Sequence, residues 1–275
     1  MAHESRIYRQ SPFQVGLIVF LFGIFGIGLL FAMGGDNYLF IIPALLLLVI
    51  AFLFTFHSMT TKIILANDDI SVQSFLGTKY LRWAEINRVS GRGVGIKLHS
   101  LDEGVVIIPN PQLPGYDEIV DVIGTKRPDL FNPLDYSEIT KSLMYLFMPF
   151  LLGAILIGFG VFLFFKPEMS EGLFPILFFL VIGFVIIVSS FVAPQSLTMD
   201  GKLLIVKYIL NQKTFPANEI QFVELKFQST RNGKIYFIMI NLTSGRSIRL
   251  SGLNLSLPIV YLVLKNWHRK NTASA

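Results

Sequence analysis

One stretch of this chain is written twice. Residues 70–89 read ISVQSFLGTKYLRWAEINRV, and residues 204–223 read LIVKYILNQKTFPANEIQFV. The two align without a gap at an offset of 134, so that Ile70 falls on Leu204, Val72 on Val206, Lys79 on Lys213, Glu85-Ile86 on Glu219-Ile220 and Val89 on Val223. Two long apolar runs precede each copy. A repeat of this kind constrains the fold more than any local propensity, because both copies must bury the same faces in the same way. The unit it predicts is a pair of apolar helices with a small β-rich domain, used twice.

The apolar runs cover residues 13–33, 38–56, 143–165 and 173–193, and none contains Asp, Glu, Lys or Arg. About 20 helical residues rising ~1.5 Å each cross a hydrocarbon core of ~30 Å. The expectation is therefore four transmembrane helices in two hairpins. The chain is 53% hydrophobic and only 15% charged, below the ~25% charged residues of an ordinary soluble domain. The first run is longer than a signal-peptide core and a second follows at once, so it reads as a retained helix. With no cysteine at all, disulfides and thiolate chemistry are excluded. The turn at 34–37 carries no Lys or Arg, and the turn at 166–172 has one Lys against two Glu. Basic residues concentrate instead near the N-terminus and in the two polar segments, which predicts both turns outside and both termini and both domains in the cytoplasm.

Short strands are expected at 62–65, 70–75, 79–83, 85–89, 94–98 and 105–108, then a helix at 116–123 that Pro128 prevents from continuing. The second copy repeats the order at 197–199, 203–210, 220–227, 235–242 and 246–250, closed by a helix at 258–268. Beyond Val89 the offset grows to 141, with Gly104 matching Gly245, so seven extra residues should lengthen the second copy's hairpin around Arg231-Asn232-Gly233. In the link between the copies, Asp135 followed by Glu138 has the spacing of a capping box, predicting a helix start that runs into the third apolar run. The expected domains are hairpin 1 at 1–57, β domain 1 at 58–131, a linker helix with hairpin 2 at 132–193, and β domain 2 at 194–275.

Strand pairs, then Trp83-Ala84-Glu85-Ile86 or Ala217-Asn218-Glu219-Ile220, then a hairpin and one closing helix: this arrangement resembles the bacterial pleckstrin-homology-like (PH-like) domain. The resemblance covers nearly the whole chain. It implies that each hairpin is followed by a small β-barrel or split sandwich with a C-terminal helix, placed at a membrane face. It implies no catalytic residues and no cofactor.

Chemistry-bearing clusters are sparse. His3, His57, His99 and His268 have no metal-ligand spacing. Asp68-Asp69, Asp102-Glu103 and Asp117-Glu118 adjoin turns or a helix start and lack the alternation of a calcium loop. Gly91-Arg92-Gly93-Val94-Gly95 precedes a strand, not the helix that a phosphate-cradling loop would open. Small residues in the first and third runs, with the Ala154-x-x-x-Gly158 step, suit close helix packing.

Charge carries the remaining signal. Residues 58–142 hold 9 Lys/Arg and 11 Asp/Glu, a net of −2, whereas residues 194–275 hold 11 and 3, a net of +8. A basic domain tethered at an anionic leaflet gains roughly 1 kcal/mol per cation that reaches it. Lys213, Arg246 and Arg249 are the candidates for anionic lipid contact; Lys202, Arg231 and Lys234 are assigned to an opposite, partner-facing end. Nucleic-acid binding is not expected, since the basic domain lacks an aromatic platform. The function expected is a non-enzymatic scaffold, sensor or regulatory adaptor of the bacterial inner membrane, binding a protein partner or anionic head groups. The alternative is a component of a small-molecule or lipid transporter, although no ionisable group lies in any run.

Overall fold

The computed structural model describes residues 5–32, 38–102, 104–136, 138–166, 172–231 and 233–272. His3, the turn at 34–37, Glu103, residues 167–171 and Asn232 lie outside the described residues. The chain divides into two compact units, one of residues 1–89 and 97–126, the other of residues 90–96 and 127–275.

The first unit begins with a strand, β1 (Arg6–Tyr8), that leads into two helices, α1 (Pro12–Ala32) and α2 (Tyr38–Thr60). Then come β2 (Lys62–Leu65), β3 (Asp69–Ser74) and β4 (Gly77–Arg82). β1 pairs antiparallel with β2, Ile7 opposite Ile64, so the four strands form one sheet in the order β1-β2-β3-β4. A 3₁₀ turn at Trp83–Glu85 leads to a second sheet of β5 (Ile86–Ser90), β6 (Lys97–Ser100) and β7 (Val106–Ile107), and the helix α3 (Tyr116–Lys126) follows. Ile63, Ile70, Leu81, Ile86, Leu98 and Ile107 from the two sheets are buried with Ile119, Val120 and Ile123 of α3. Period-2 burial in the strands and period-3.6 burial on the helix thus meet in one core.

The second unit repeats this plan. β8 (Glu138–Thr140) precedes α4 (Leu143–Phe165) and α5 (Leu173–Val192). β9 (Ser196–Asp200), β10 (Leu203–Lys207) and β11 (Gln212–Pro216) complete a sheet with β8 in the order β8-β9-β10-β11. A 3₁₀ turn at Ala217–Glu219 leads to β12 (Ile220–Thr230), β13 (Gly233–Leu242) and β14 (Ser247–Leu250), and then to α6 (Leu257–Thr272). The two long strands β12 and β13, 11 and 10 residues, are where the extra residues of the second copy go.

The step between the sheets is built alike in both units. Trp83 N–H donates to the Asp68 carbonyl and Ala217 N–H to the Lys202 carbonyl, again at the offset of 134. The Trp83 indole also donates to the Ala66 carbonyl at 3.1 Å. Ala217 cannot do this. In the second unit Trp267 of α6 donates to the Gly201 carbonyl at 2.8 Å, so the indole is supplied from the closing helix instead. That helix is buried nearly all round from Leu257 to Leu264. Its Asn266 side chain donates to the Pro128 and Phe131 carbonyls of the 3₁₀ turn Pro128–Phe131.

Several expectations are corrected. Four transmembrane helices in two hairpins are not found. Among the described residues two helices, α4 and α5, are long and apolar enough to cross a membrane. Only 17% of each one's most apolar stretch is buried, which is not how the core helix of a soluble domain behaves. In α1 and α2 the apolar helical stretches are Pro12–Gly28 and Ile42–His57. Nor is the β domain that follows each helix pair self-contained, because its first strand, β1 or β8, precedes the pair. The helices are inserted between the first and second strands of a four-stranded sheet, and each unit holds two small antiparallel sheets. The capping-box helix start at Asp135–Glu138 is absent as well. Pro133–Tyr136 is a 3₁₀ turn, Glu138–Thr140 pairs with β9, and α4 begins only at Leu143.

The α4–α5 pair is held by glycines. A Cβ at Gly153 would lie 2.5 Å from Ile187 Cγ1 and 2.8 Å from the Gly183 carbonyl, and one at Gly183 would lie 2.8 Å from the Gly153 carbonyl. Gly158 of the expected Ala154-x-x-x-Gly158 step faces open space. The close crossing therefore uses Gly153 and Gly183, a backbone approach that only the absence of a Cβ permits.

Candidate functional site

At the foot of α4 and α5 the chain is tied down on two sides. Lys141 N–H donates to the Gln195 carbonyl at 2.7 Å, and Gln195 N–H to the Lys207 carbonyl at 2.7 Å. On the other side Ser142 N–H donates to the Gly252 carbonyl and Asn254 N–H to the Thr140 carbonyl, each at 2.9 Å. The strand that enters α4 thus links β9 and β10 to the segment after β14. Gly252 has φ +67°, and a Cβ there would lie 2.6 Å from the Tyr145 ring. No other residue fits this seat without moving Tyr145.

These ties shape a cleft of about 1340 Å³ in the second unit. Five cations line it: Arg92, Lys141, Lys207, Lys234 and Arg249. No Asp or Glu is among its described lining residues. Tyr145, Leu146, Ile209, Ile235, Tyr236 and Leu257 supply its apolar walls. Each cation comes from a different segment: the 90–96 stretch, the entry to α4, the end of β10, the start of β13 and the middle of β14. Arg249 is carried over the Phe237 ring at 3.9 Å and Lys234 over the Phe227 ring at 4.7 Å. Such stacking holds a cation in place. Lys141 is half-buried, and this burial holds its ammonium below the usual lysine range. Gln195 is fixed by its side-chain N–H donations to the Ser190 and Ala193 carbonyls. A cationic, partly apolar cleft at the base of an apolar helix pair can hold a singly or doubly charged anionic group attached to an apolar body.

The structure redistributes the residues assigned from sequence. Arg249 and Lys234, placed at opposite ends by the sequence reading, line the same cleft. Lys213 lies on β11 opposite Val206, with its ammonium 5.5 Å from the Tyr208 ring, at the same end of the sheet but outside the cleft lining. Arg231 sits in the turn between β12 and β13, next to Lys234. Lys202 and Arg246 go to the far end. The Lys202 carbonyl accepts from Ala217 N–H, the Glu219 carbonyl from Thr243 N–H, and the Arg246 carbonyl from Leu242 N–H. The membrane-contact set therefore loses Arg246 to the far end, and the partner-facing set loses Lys234 to the cleft. Sequence reasoning missed Arg92, Lys141 and Lys207. Each is a lone cation at a strand end or in a loop, and nothing local distinguishes it from a solvated charge.

Among the described residues the first unit has two clefts at its helix foot: one of about 450 Å³ lined by Arg9, Pro12 and Val15 at the entry to α1 with Lys62, Gln73 and Phe75, and one of about 520 Å³ lined by Phe54, His57 and Thr61 of the end of α2, by Leu76–Lys79 and by Val106–Ile108. Lys79 is the latter's one Lys or Arg among the described lining residues. Among the described residues no group of three or more His, Asp or Glu side chains could hold a metal ion. In comparisons with known proteins, no family model matches the chain and no curated protein matches it.

Proposed function

We propose that this chain is a non-enzymatic scaffold or sensor of a bacterial cytoplasmic membrane, held by the α4–α5 hairpin, with PH-like β units on the cytoplasmic side. The second unit reads anionic lipid head groups in its basic cleft. One observation carries this reading: among the described residues, five cations and no carboxylate line a cleft at the foot of the two helices suited to cross a bilayer. An anionic leaflet concentrates negative charge at that depth, and each Lys or Arg near it contributes roughly 1 kcal/mol. The apolar walls match the glycerol and upper acyl region that accompanies a phosphate. The outward placement of the 166–172 turn follows the scarcity of basic residues there.

The test uses the full chain extracted from vesicles of phosphatidylcholine and phosphatidylglycerol, with the retained lipid measured by mass spectrometry. The expected result is enrichment of phosphatidylglycerol that falls as salt rises, and its loss in a Lys141→Gln, Lys207→Gln, Arg249→Gln variant. Equal retention of both lipids, or enrichment unchanged in the variant, would overturn the reading.

A further inference from the structure

Both units place two large apolar side chains at the tip of a tight hairpin turn. In the first, Ser74 pairs with Gly77 across Phe75-Leu76. In the second, Lys207 pairs with Gln212 and Tyr208 N–H donates to the Asn211 carbonyl across Ile209-Leu210. These are the same positions of the repeat at the offset of 134. Two-residue turns favour Gly, Asn and Asp, which adopt the required backbone and meet water readily. Here the tip residues are Phe, Leu, Ile and Leu, and they are exposed: Phe75 52%, Leu76 75%, Ile209 38% and Leu210 78%. Neither turn chemistry nor core packing accounts for them.

Their surroundings point to an occupant. In the first unit the Phe75 ring lies 5.9 Å from Phe56 and 5.3 Å from His57, at the end of α2. In the second, Ile209 lines the basic cleft with Leu143, Tyr145 and Leu146 of the start of α4. Each tip therefore sits at the foot of its own apolar helix pair, and in the second unit Lys207 and Lys213 flank it in sequence. Apolar side chains beside cations at the level where an apolar helix begins have the composition of a lipid-interface anchor. We propose that Phe75-Leu76 and Ile209-Leu210 enter the head-group and upper acyl layer of a bilayer, fixing each sheet against the lipid surface. The proposal rests on the membrane reading above. It does not rest on head-group selectivity, since apolar insertion needs no anionic lipid.

The chain has no cysteine, so single-cysteine variants label cleanly. Leu76→Cys, Leu210→Cys, Ile155→Cys within α4 and Ser244→Cys in the far turn between β13 and β14 are each labelled with an environment-sensitive fluorophore. The full-length protein is reconstituted into phosphatidylcholine vesicles with and without phosphatidylglycerol, and into vesicles carrying lipids spin-labelled near the head group. The expected result is blue-shifted emission at 76 and 210 with quenching severalfold that at 244, in both lipid compositions. Quenching at 155 but not at 76 or 210 would overturn this inference while leaving the membrane reading intact. Quenching at only one tip would overturn the paired role. No quenching at any position would overturn both.

Discussion

The two units share a strand order but solve two problems differently. The first is how to hold a helix pair. In α4–α5 the backbones approach through Gly153 and Gly183, where a Cβ on either would strike the facing helix. In α1–α2 the glycines Gly16, Gly23 and Gly28 face open space, Gly26 meets only Leu48 at 3.5 Å, and an edge-on pair of Phe22 and Phe52 rings spans the helices at 5.6 Å. The second problem is what to offer at the helix foot. The two clefts of the first unit carry Lys79 in one and Arg9 with Lys62 in the other, whereas the large cleft of the second gathers five cations. A duplicated plan thus preserves the pairing of strands, which the core enforces, and leaves the exposed cleft and the helix surfaces to diverge. Strand register answers to burial on one face, so a slip would turn the core residues outward. Surface charge answers to no such constraint.

The comparison breaks first if the charges in the second cleft are ordinary surface charges. Replacing Lys141, Lys207 and Arg249 together with Gln should cost about 3 kcal/mol of anionic-lipid affinity at roughly 1 kcal/mol each, on the order of a hundredfold. Lys79→Gln in the first unit should leave retention unchanged. Titration of the full chain with phosphatidylglycerol at low and high salt checks both. A drop with Lys79→Gln as large as that of the triple variant would show the clefts to be alike.

The helix pairs can be compared by the same substitution at two sites. Gly183→Ala forces a Cβ to 2.8 Å from the Gly153 carbonyl and should destabilise the α4–α5 pair by about 2 kcal/mol. Gly23→Ala meets nothing within 4 Å and should be neutral or stabilising by up to ~1 kcal/mol through helix propensity. Thermal melts of the detergent-solubilised protein read the two changes, and equal shifts would remove the distinction between the hairpins. A change at Asn266 tests the closing helix of the second unit. Asn266→Ala leaves the Pro128 and Phe131 carbonyls without their donor and should cost about 1–2 kcal/mol in the same melts.

The smallest effect expected is on pH dependence. Desolvation lowers the Lys141 pKa in the free protein, so its proton is lost at a lower pH than an ordinary lysine's. A bound anion favours the charged form. Binding is therefore independent of pH while Lys141 is protonated in the free protein, and weakens once pH rises through its lowered value because a proton must then be taken up. Lys141→Arg keeps its charge throughout and should move the alkaline fall in phosphatidylglycerol binding to higher pH. An unmoved profile would mean that Lys141 does not face the anion.

Much of the fold was legible because the repeat exposed it. The strands flanking Asp68-Asp69 and Gly201-Lys202, the longer second hairpin and both closing helices follow from alternation, turn residues and helical spacing. The first strand of each sheet was not legible. Arg6–Tyr8 and Glu138–Thr140 are three residues each, and each pairs with a strand more than fifty residues away across an inserted helix pair. At Asp135 and Glu138 a local capping signal pointed to a helix, but long-range pairing with β9 prevailed over it. The site was half legible. The excess charge of the second copy marked the unit, and Arg249 and Lys234 were among its candidates. Which cations converge depends on where β8, β10, β13, β14 and the 90–96 segment meet, and no spacing along the chain encodes that.

The central claim is that the second unit's cleft, and not the Lys79 cleft of the first, receives an anionic head group. A phosphatidylglycerol carrying a photoactivatable group near its phosphate, incorporated with the full-length protein into vesicles and irradiated, tests this directly by mapping the modified peptides. The account predicts adducts on peptides containing Lys141–Leu146 and Arg249–Asn254, reduced by high salt, and none above background on that containing Val106–Asn110; the hairpin tips Phe75-Leu76 and Ile209-Leu210 meet the head-group layer in either case and do not discriminate. Equal labelling of both sets, or labelling confined to Val106–Asn110, would contradict it.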